Sequence, residues 1–242
     1  MNQQPYGNIL VNAVGLTKCY GSFRALNGIS LALERGKIIG LLGPNGSGKT
    51  TFIKILAGLL TSSDGTVTVN GMEPGEATKA IVSYLPERPY FDQGMTVTEC
   101  LDFFCDFYRD FDRVLAERML LDLGISIDSK LKTLSKGTKE KVQLVLVMSR
   151  RAQLYLLDEP IAGVDPAARD YILNTILSSY NREASIIIST HLITDIEPIL
   201  DKFVIINNGN VLVSGDVRDF KAQTGRTLDD YFREVFRCYR NY

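Results

Sequence analysis

The sequence predicts an α/β fold, and three observations carry that reading. Lys37–Leu42 is a mostly apolar run without interruption, the pattern of a strand buried on both faces. It passes into a glycine-rich segment and then into a helix-like run, Lys49–Ala57, closed by Gly58. Two more short apolar runs, Leu154–Leu157 and Ser185–Ser189, flank a helix-length segment, Pro166–Tyr180, with proline near its first turn.

Length and composition bound what the chain can be. Its 242 residues suffice for one large domain with a sizeable core. Apolar residues at 45% and charged residues at 23% are globular values, too apolar for disorder. A net charge of −1 without blocks of like charge gives no electrostatic case for a nucleic-acid partner. Four scattered cysteines (Cys19, Cys100, Cys105, Cys238) form no CxxC pair and stand beside a single histidine. That pattern argues against zinc or a disulfide framework and for free thiols in a reducing cytosol. Residues 1–14 lack the basic start and apolar stretch of a signal peptide. No apolar run approaches the roughly 18 residues of a membrane span, so a membrane role is expected to come through a separate protein.

The elements follow in order. Ile9–Val14 and Ile29–Leu33 read as strands ended by Gly15 and by Glu34-Arg35-Gly36. Thr66–Asn70 alternates between the turn signals Asp64-Gly65 and Asn70-Gly71. From 89 to 151 the texture is helical: Val97–Tyr108 and Arg113–Leu123 have apolar residues at helical spacing, Gly124 closes the second, and Val142–Met148 is a packed helix. Phe203–Asn207 and Val211–Ser214 form a hairpin about Asn208-Gly209. Asp216–Tyr242 reads as helical. The expected organisation is one domain: an α/β core with an antiparallel β subdomain (1–88 and 152–215), a helical subdomain (89–151) and a C-terminal helical segment (216–242).

Gly43-Pro44-Asn45-Gly46-Ser47-Gly48-Lys49-Thr50 fits GxxxxGK[ST] between strand and helix. The glycines let successive backbone N–H groups turn toward phosphate oxygens, and the helix aims its positive end at the same anions. Lys49 reaches the β- and γ-phosphates, Thr50 ligates Mg²⁺, and Thr51 joins the cradle. This motif alone defines a P-loop NTPase. Asp158 and Glu159 end the strand Leu154–Leu157, where a parallel sheet delivers them beside the loop. Asp158 is placed to hold Mg²⁺ and Glu159 to polarise the attacking water.

Leu134-Ser135-Lys136-Gly137-Thr138 lies 23 residues ahead of Asp158, counted from Ser135. It resembles the LSGGQ signature of ABC ATPases in an LSKG form, and the order of motifs over residues 9–215 matches that family. The resemblance implies a P-loop core of ABC ATPase type and an ATP-hydrolysing subunit that powers transport through a separate transmembrane permease. It also implies a second ATPase subunit, so that Ser135 and Gly137 grip the γ-phosphate held by the other copy. Tyr20 matches the aromatic that stacks on adenine. Glu87 stands where the family usually has glutamine, within reach of Mg²⁺ or its water. Asp165, in Ala162-Gly163-Val164-Asp165, matches the D-loop aspartate, and His191 the switch histidine. The Pro86-Glu87 form resembles exporters of the ABC-2 type. The implied location is the cytoplasmic face of a membrane, held there by the partner. The aromatics of 89–151 include a subset expected to line a groove for the permease's coupling helix.

Three other readings fit less of the chain. Chromosome-type ABC ATPases insert a long coiled coil before the signature, whereas 85 residues separate Thr50 from Ser135 here. Ribosomal members carry two cassettes. A P-loop kinase has neither signature nor D-loop. A slow nucleotide-binding half of a heterodimer also remains among the alternatives.

Overall fold

The computed structural model describes residues 7–162, 166–179 and 183–237. β1 (Ile9–Tyr20) and β2 (Phe23–Glu34) form a long antiparallel hairpin. Both extend well beyond their apolar stretches. Pairing continues through register shifts, one of them spanning Gly15 at φ 60°, so the bulged strand runs on to Tyr20. β3 (Ile38–Leu42) feeds α1 (Lys49–Leu56), and β4 (Asp64–Val69) pairs with β1 to complete a three-stranded sheet. The single turn α2 (Glu76–Lys79) leads into β5 (Val82–Leu85), whose four residues are too few to show a period. Then come α3 (Val97–Phe107), α4 (Arg113–Asp122), α5 (Lys136–Met148), β6 (Leu154–Asp158), α6 (Pro166–Ser179), β7 (Ser185–Thr190) and α7 (Ile193–Ile196). β8 (Lys202–Asn207) and β9 (Asn210–Asp216) precede α8 (Val217–Thr224) and α9 (Leu228–Arg237). The segment after 216 is thus two helices. Gly225 takes φ 65° and its N–H donates to the Lys221 carbonyl, closing α8. Residues 238–242, Cys238 among them, lie outside the described residues.

The larger sheet has the order β5-β6-β7-β3-β8-β9. β5 through β8 are parallel, and β9 returns antiparallel around Asn208 and Gly209, both at positive φ. Its side chains alternate between two cores. Ile39, Leu41, Leu156, Ile187, Val204 and Ile206 pack with α1 and the three-stranded sheet. Ile38, Leu42, Leu157, Ile186, Ile188 and Ile205 pack on the opposite face with α3, α4 and α5. α3 shows the logic of that face: Val97, Cys100, Leu101 and Phe104 are buried at i, i+3, i+4 and i+7, and Thr96 with Glu99 forms a capping box at its start.

Arg150 joins the helical stretch to the sheet. It is 3% exposed. Its guanidinium donates to the carbonyls of Val82 (2.6 Å), Ala80 (3.2 Å) and Lys79 (3.3 Å), and to both carboxylate oxygens of Asp110 (3.0 and 3.1 Å). Its guanidinium carbon lies 3.8 Å from the centre of the Tyr108 ring. One side chain therefore grips the approach to β5, the connection after α3 and an aromatic at the same time.

Candidate active site

The loop after β3 is held in shape from outside. A Cβ on Gly43 would lie 2.3 Å from the Ile206 carbonyl oxygen, and one on Gly48, at φ 113°, 2.6 Å from that of Ala25. Neither position admits a side chain. The Gly209 N–H, in the β8–β9 turn, donates to the Ser47 carbonyl at 2.9 Å. Gly48 is the N-cap of α1 and supplies no side chain to it, so the first-turn N–H groups face the loop's concavity as anion donors.

Lys49 is 5% exposed. Its ammonium donates to the carbonyls of Gly43 (2.8 Å) and Pro44 (3.2 Å) and stands 3.4 Å from Glu159 Oε1. Burial pulls its pKa below the usual lysine range, against the opposing pull of Glu159, Asp158 and Glu87. Asp158 ends β6 at 1% exposure. Its Oδ1 accepts from Thr50 Oγ1 (3.0 Å) and Ser189 Oγ (2.6 Å), while its buried Oδ2 has no hydrogen bond to protein. Burial raises its carboxyl above the usual range. Glu159 sits at φ 52°, a conformation that costs about 1–3 kcal/mol for a residue with a side chain. Its N–H donates to the Ser189 carbonyl (3.0 Å) and hydroxyl (3.1 Å). Its other carboxylate oxygen meets His191 Nδ1 at 3.1 Å.

Lys49 and Glu159 open on one cavity of about 440 Å³, lined also by Tyr20, Phe23, Ala25, the loop residues Asn45 to Thr51, Glu87, Ala162 and His191. Tyr20 (47% exposed) and Phe23 (60%) flank the turn of the β1–β2 hairpin and make an aromatic wall. Phe23 and Ser189 were not singled out from the sequence. Phe23 carries a signal in hindsight, a large aromatic in a turn beside Tyr20; Ser189 is one more residue of a buried strand. Ser135 and Gly137 do not line this cavity. Ser135 caps α5, accepting from the Thr138 N–H at 3.1 Å, beside a separate concavity near Leu123–Ser126. Asp165 lies outside the described residues.

A third concavity, of about 480 Å³, lies between the sheet and α3. Lys54, Tyr84, Pro86, Tyr90, Phe103 and Tyr108 are among its lining. Pro86 and Glu87, adjacent in sequence, thus face two different cavities, and the segment after β5 is the wall between them.

A buried lysine, a glycine-rich loop at a helix start and two carboxylates in series are the arrangement of the class of P-loop nucleotide hydrolases. Within that class the match is specific. Residues 26–162, more than half of the chain, match the family described as ABC transporter. The ABC-type transporter ATP-binding protein EcsA of Bacillus subtilis (strain 168) is 30% identical over 237 residues, 93% of this chain and 96% of EcsA. The SkfA peptide export ATP-binding protein SkfE of the same strain is 29% identical, over 94% of this chain and 96% of SkfE. A solved structure of an ATP-binding subunit of an ABC transporter superposes with a TM-score of 0.82 at 30% identity, over 93% of this chain and 99% of the other. The chain belongs to the ABC transporter family, as an ATP-hydrolysing nucleotide-binding domain.

Lys49→Ala is expected to weaken ATP binding about 10- to 100-fold, the range that follows from losing a charge-assisted contact worth about 1.5–3 kcal/mol. Calorimetric titration of the purified variant measures it.

Proposed function

We propose that this chain is the motor of a membrane exporter. It hydrolyses Mg²⁺-ATP at two composite sites in a head-to-tail dimer and drives a separate transmembrane permease from the cytoplasmic face. The observation that carries the dimer is the division of the site. Lys49, Thr50, Glu159 and His191 line one cavity, with Asp158 hydrogen-bonded to Thr50 behind it, while Ser135 at the start of α5 faces elsewhere. A second copy supplies what each cavity lacks: its Ser135 hydroxyl and the N–H groups around Gly137 close on the γ-phosphate.

The donor set fits magnesium. Asp158 has one buried oxygen without a protein partner, beside the Thr50 hydroxyl. Among the described residues no group of three His, Cys, Asp or Glu side chains could hold an ion unaided, which suits a cation carried largely by phosphates. Thr50 and Asp158 would hold it, with Glu87 reaching it or its water. When bound, it offsets charge on the β- and γ-phosphates. Lys49 exchanges its loop carbonyls for phosphate oxygens, which releases Glu159 from the ammonium. Glu159 then accepts a proton from the attacking water, and His191, hydrogen-bonded to Glu159, fixes the orientation of both. Tyr20, with Phe23, stacks on the adenine.

No described helix is long and apolar enough to cross a membrane. The groove beside α3 supports a docked partner: Tyr90 (51% exposed) and Phe103 (39%) line it as bare aromatics, and Phe107 (67%) packs on Phe103. Export is supported by the likeness to SkfE and by the Pro86-Glu87 form. The test is capture of an integral membrane protein from detergent-solubilised membranes of the source organism. Wild type should retain a multi-spanning protein that Phe103→Glu loses, with ATP turnover of the free variant unchanged. Equal capture by both, or none by wild type, would remove the groove from the proposal.

A further inference from the structure

Asp158 Oδ2 and the Tyr84 hydroxyl, near the magnesium-binding end of the sheet, are both buried without a hydrogen bond to protein. They belong to neighbouring strands. β5 and β6 are parallel, with Tyr84 opposite Leu156, so Tyr84 and Asp158, two residues on from Leu156, lie diagonally on one face. The packing agrees, because Leu156 and Tyr84 join the same core, on the α1 side of the sheet. One atom is an O–H donor and the other a carboxylate acceptor, yet they do not bond directly. Buried groups of this kind are nearly always satisfied, and a shared water is the usual means across a gap.

We propose that Tyr84 is a positioning residue for the magnesium site, holding Asp158 Oδ2 through one bridging water. The tyrosine O–H donates to the water and the water donates to Oδ2. Thr50 and Ser189 already hold Oδ1, so the bridge fixes the last freedom of the carboxylate, its rotation about Cβ–Cγ. The phenol remains a donor at any working pH. Burial, with the charges of Asp158 and Glu87 behind it, raises its pKa well above the tyrosine range. The ring of Tyr84 also lines the groove beside α3. One side chain thus lines the surface offered to the partner and, through that water, reaches the carboxylate that holds the metal. The assignment rests on the magnesium-dependent hydrolysis proposed above.

Tyr84→Phe removes the hydroxyl and keeps the ring. Wild type, Tyr84→Phe and Asp158→Asn would be titrated with ATP in magnesium and in EDTA, and the apo proteins melted. Tyr84→Phe should bind ATP in EDTA as wild type does and lose about tenfold of the affinity that magnesium adds, the range expected of an outer-shell partner. It should melt no lower than wild type, because no protein contact is removed. If Tyr84→Phe keeps the full magnesium effect while Asp158→Asn loses it, the bridge is wrong and the metal site stands. A lower melting point with equal losses in both titrations would make the hydroxyl structural and also overturn the bridge. Should Asp158→Asn retain the full magnesium effect, the metal assignment fails and the bridge with it.

Discussion

Glu159→Gln is expected to lower ATP turnover by about 10²- to 10⁴-fold, the usual contribution of a positioned general base, while ATP still binds. Glutamine preserves the size of the side chain. It also leaves intact the two hydrogen bonds from the residue 159 N–H to Ser189 that hold its strained backbone. What disappears is the negative charge that faces Lys49 and His191. With binding kept and hydrolysis removed, the variant should accumulate as an ATP-bound dimer on size exclusion, where wild type cycles back to monomer. Single-turnover kinetics beside the elution profile decide the matter. Turnover above about a tenth of wild type would move the base to another residue, because a general base contributes at least about 10²-fold.

The second large effect is on stability. Arg150→Ala is expected to cost about 3–5 kcal/mol, since it leaves the Asp110 carboxylate and three carbonyls without their buried cation. For a chain of this length that corresponds to a fall in melting temperature of about 6–20 °C by calorimetry. Arg150→Lys should recover only part of the loss, because an ammonium cannot reproduce the two-pronged contact with Asp110 or the stacking on Tyr108. Arg151→Ala is the control. Its ion pair with Asp112 is 2.9 Å long, but the arginine side chain is 79% exposed, and such surface pairs contribute about 1 kcal/mol at most. Equal melting points for the two alanine variants would refute the role given to Arg150.

Arg150 and Arg151 also mark where the sequence stops being informative. They are adjacent and chemically identical, yet one is buried at 3% and the other faces solvent. Only tertiary placement distinguishes them. The phosphate loop and the Asp158-Glu159 pair were legible because their chemistry is contiguous: a fixed backbone path needs glycine at fixed spacing. β5 was not legible, since four residues show no period and its burial comes from β6. The ends of β1 and β2 were underestimated because bulges let polar stretches continue pairing. Among the aromatics of 89–151, helical spacing could not separate Phe104, at 2% exposure, from Phe103 and Phe107. That sorting depends on what α3 packs against. The single histidine was marked only by the family resemblance; the structure sets it against the Glu159 carboxylate.

The hydrogen bond from Gly209 to Ser47 ties the far hairpin of the larger sheet to the phosphate loop. With Ile206 and Ala25 pressed against Gly43 and Gly48, the loop is cast before any nucleotide arrives. Little conformational entropy then remains to be lost on binding, so the heat and affinity of the nucleotide report its own contacts rather than an ordering transition. Amide exchange would register the same rigidity: the Gly209 amide should be protected in the empty protein and gain little further protection with ATP.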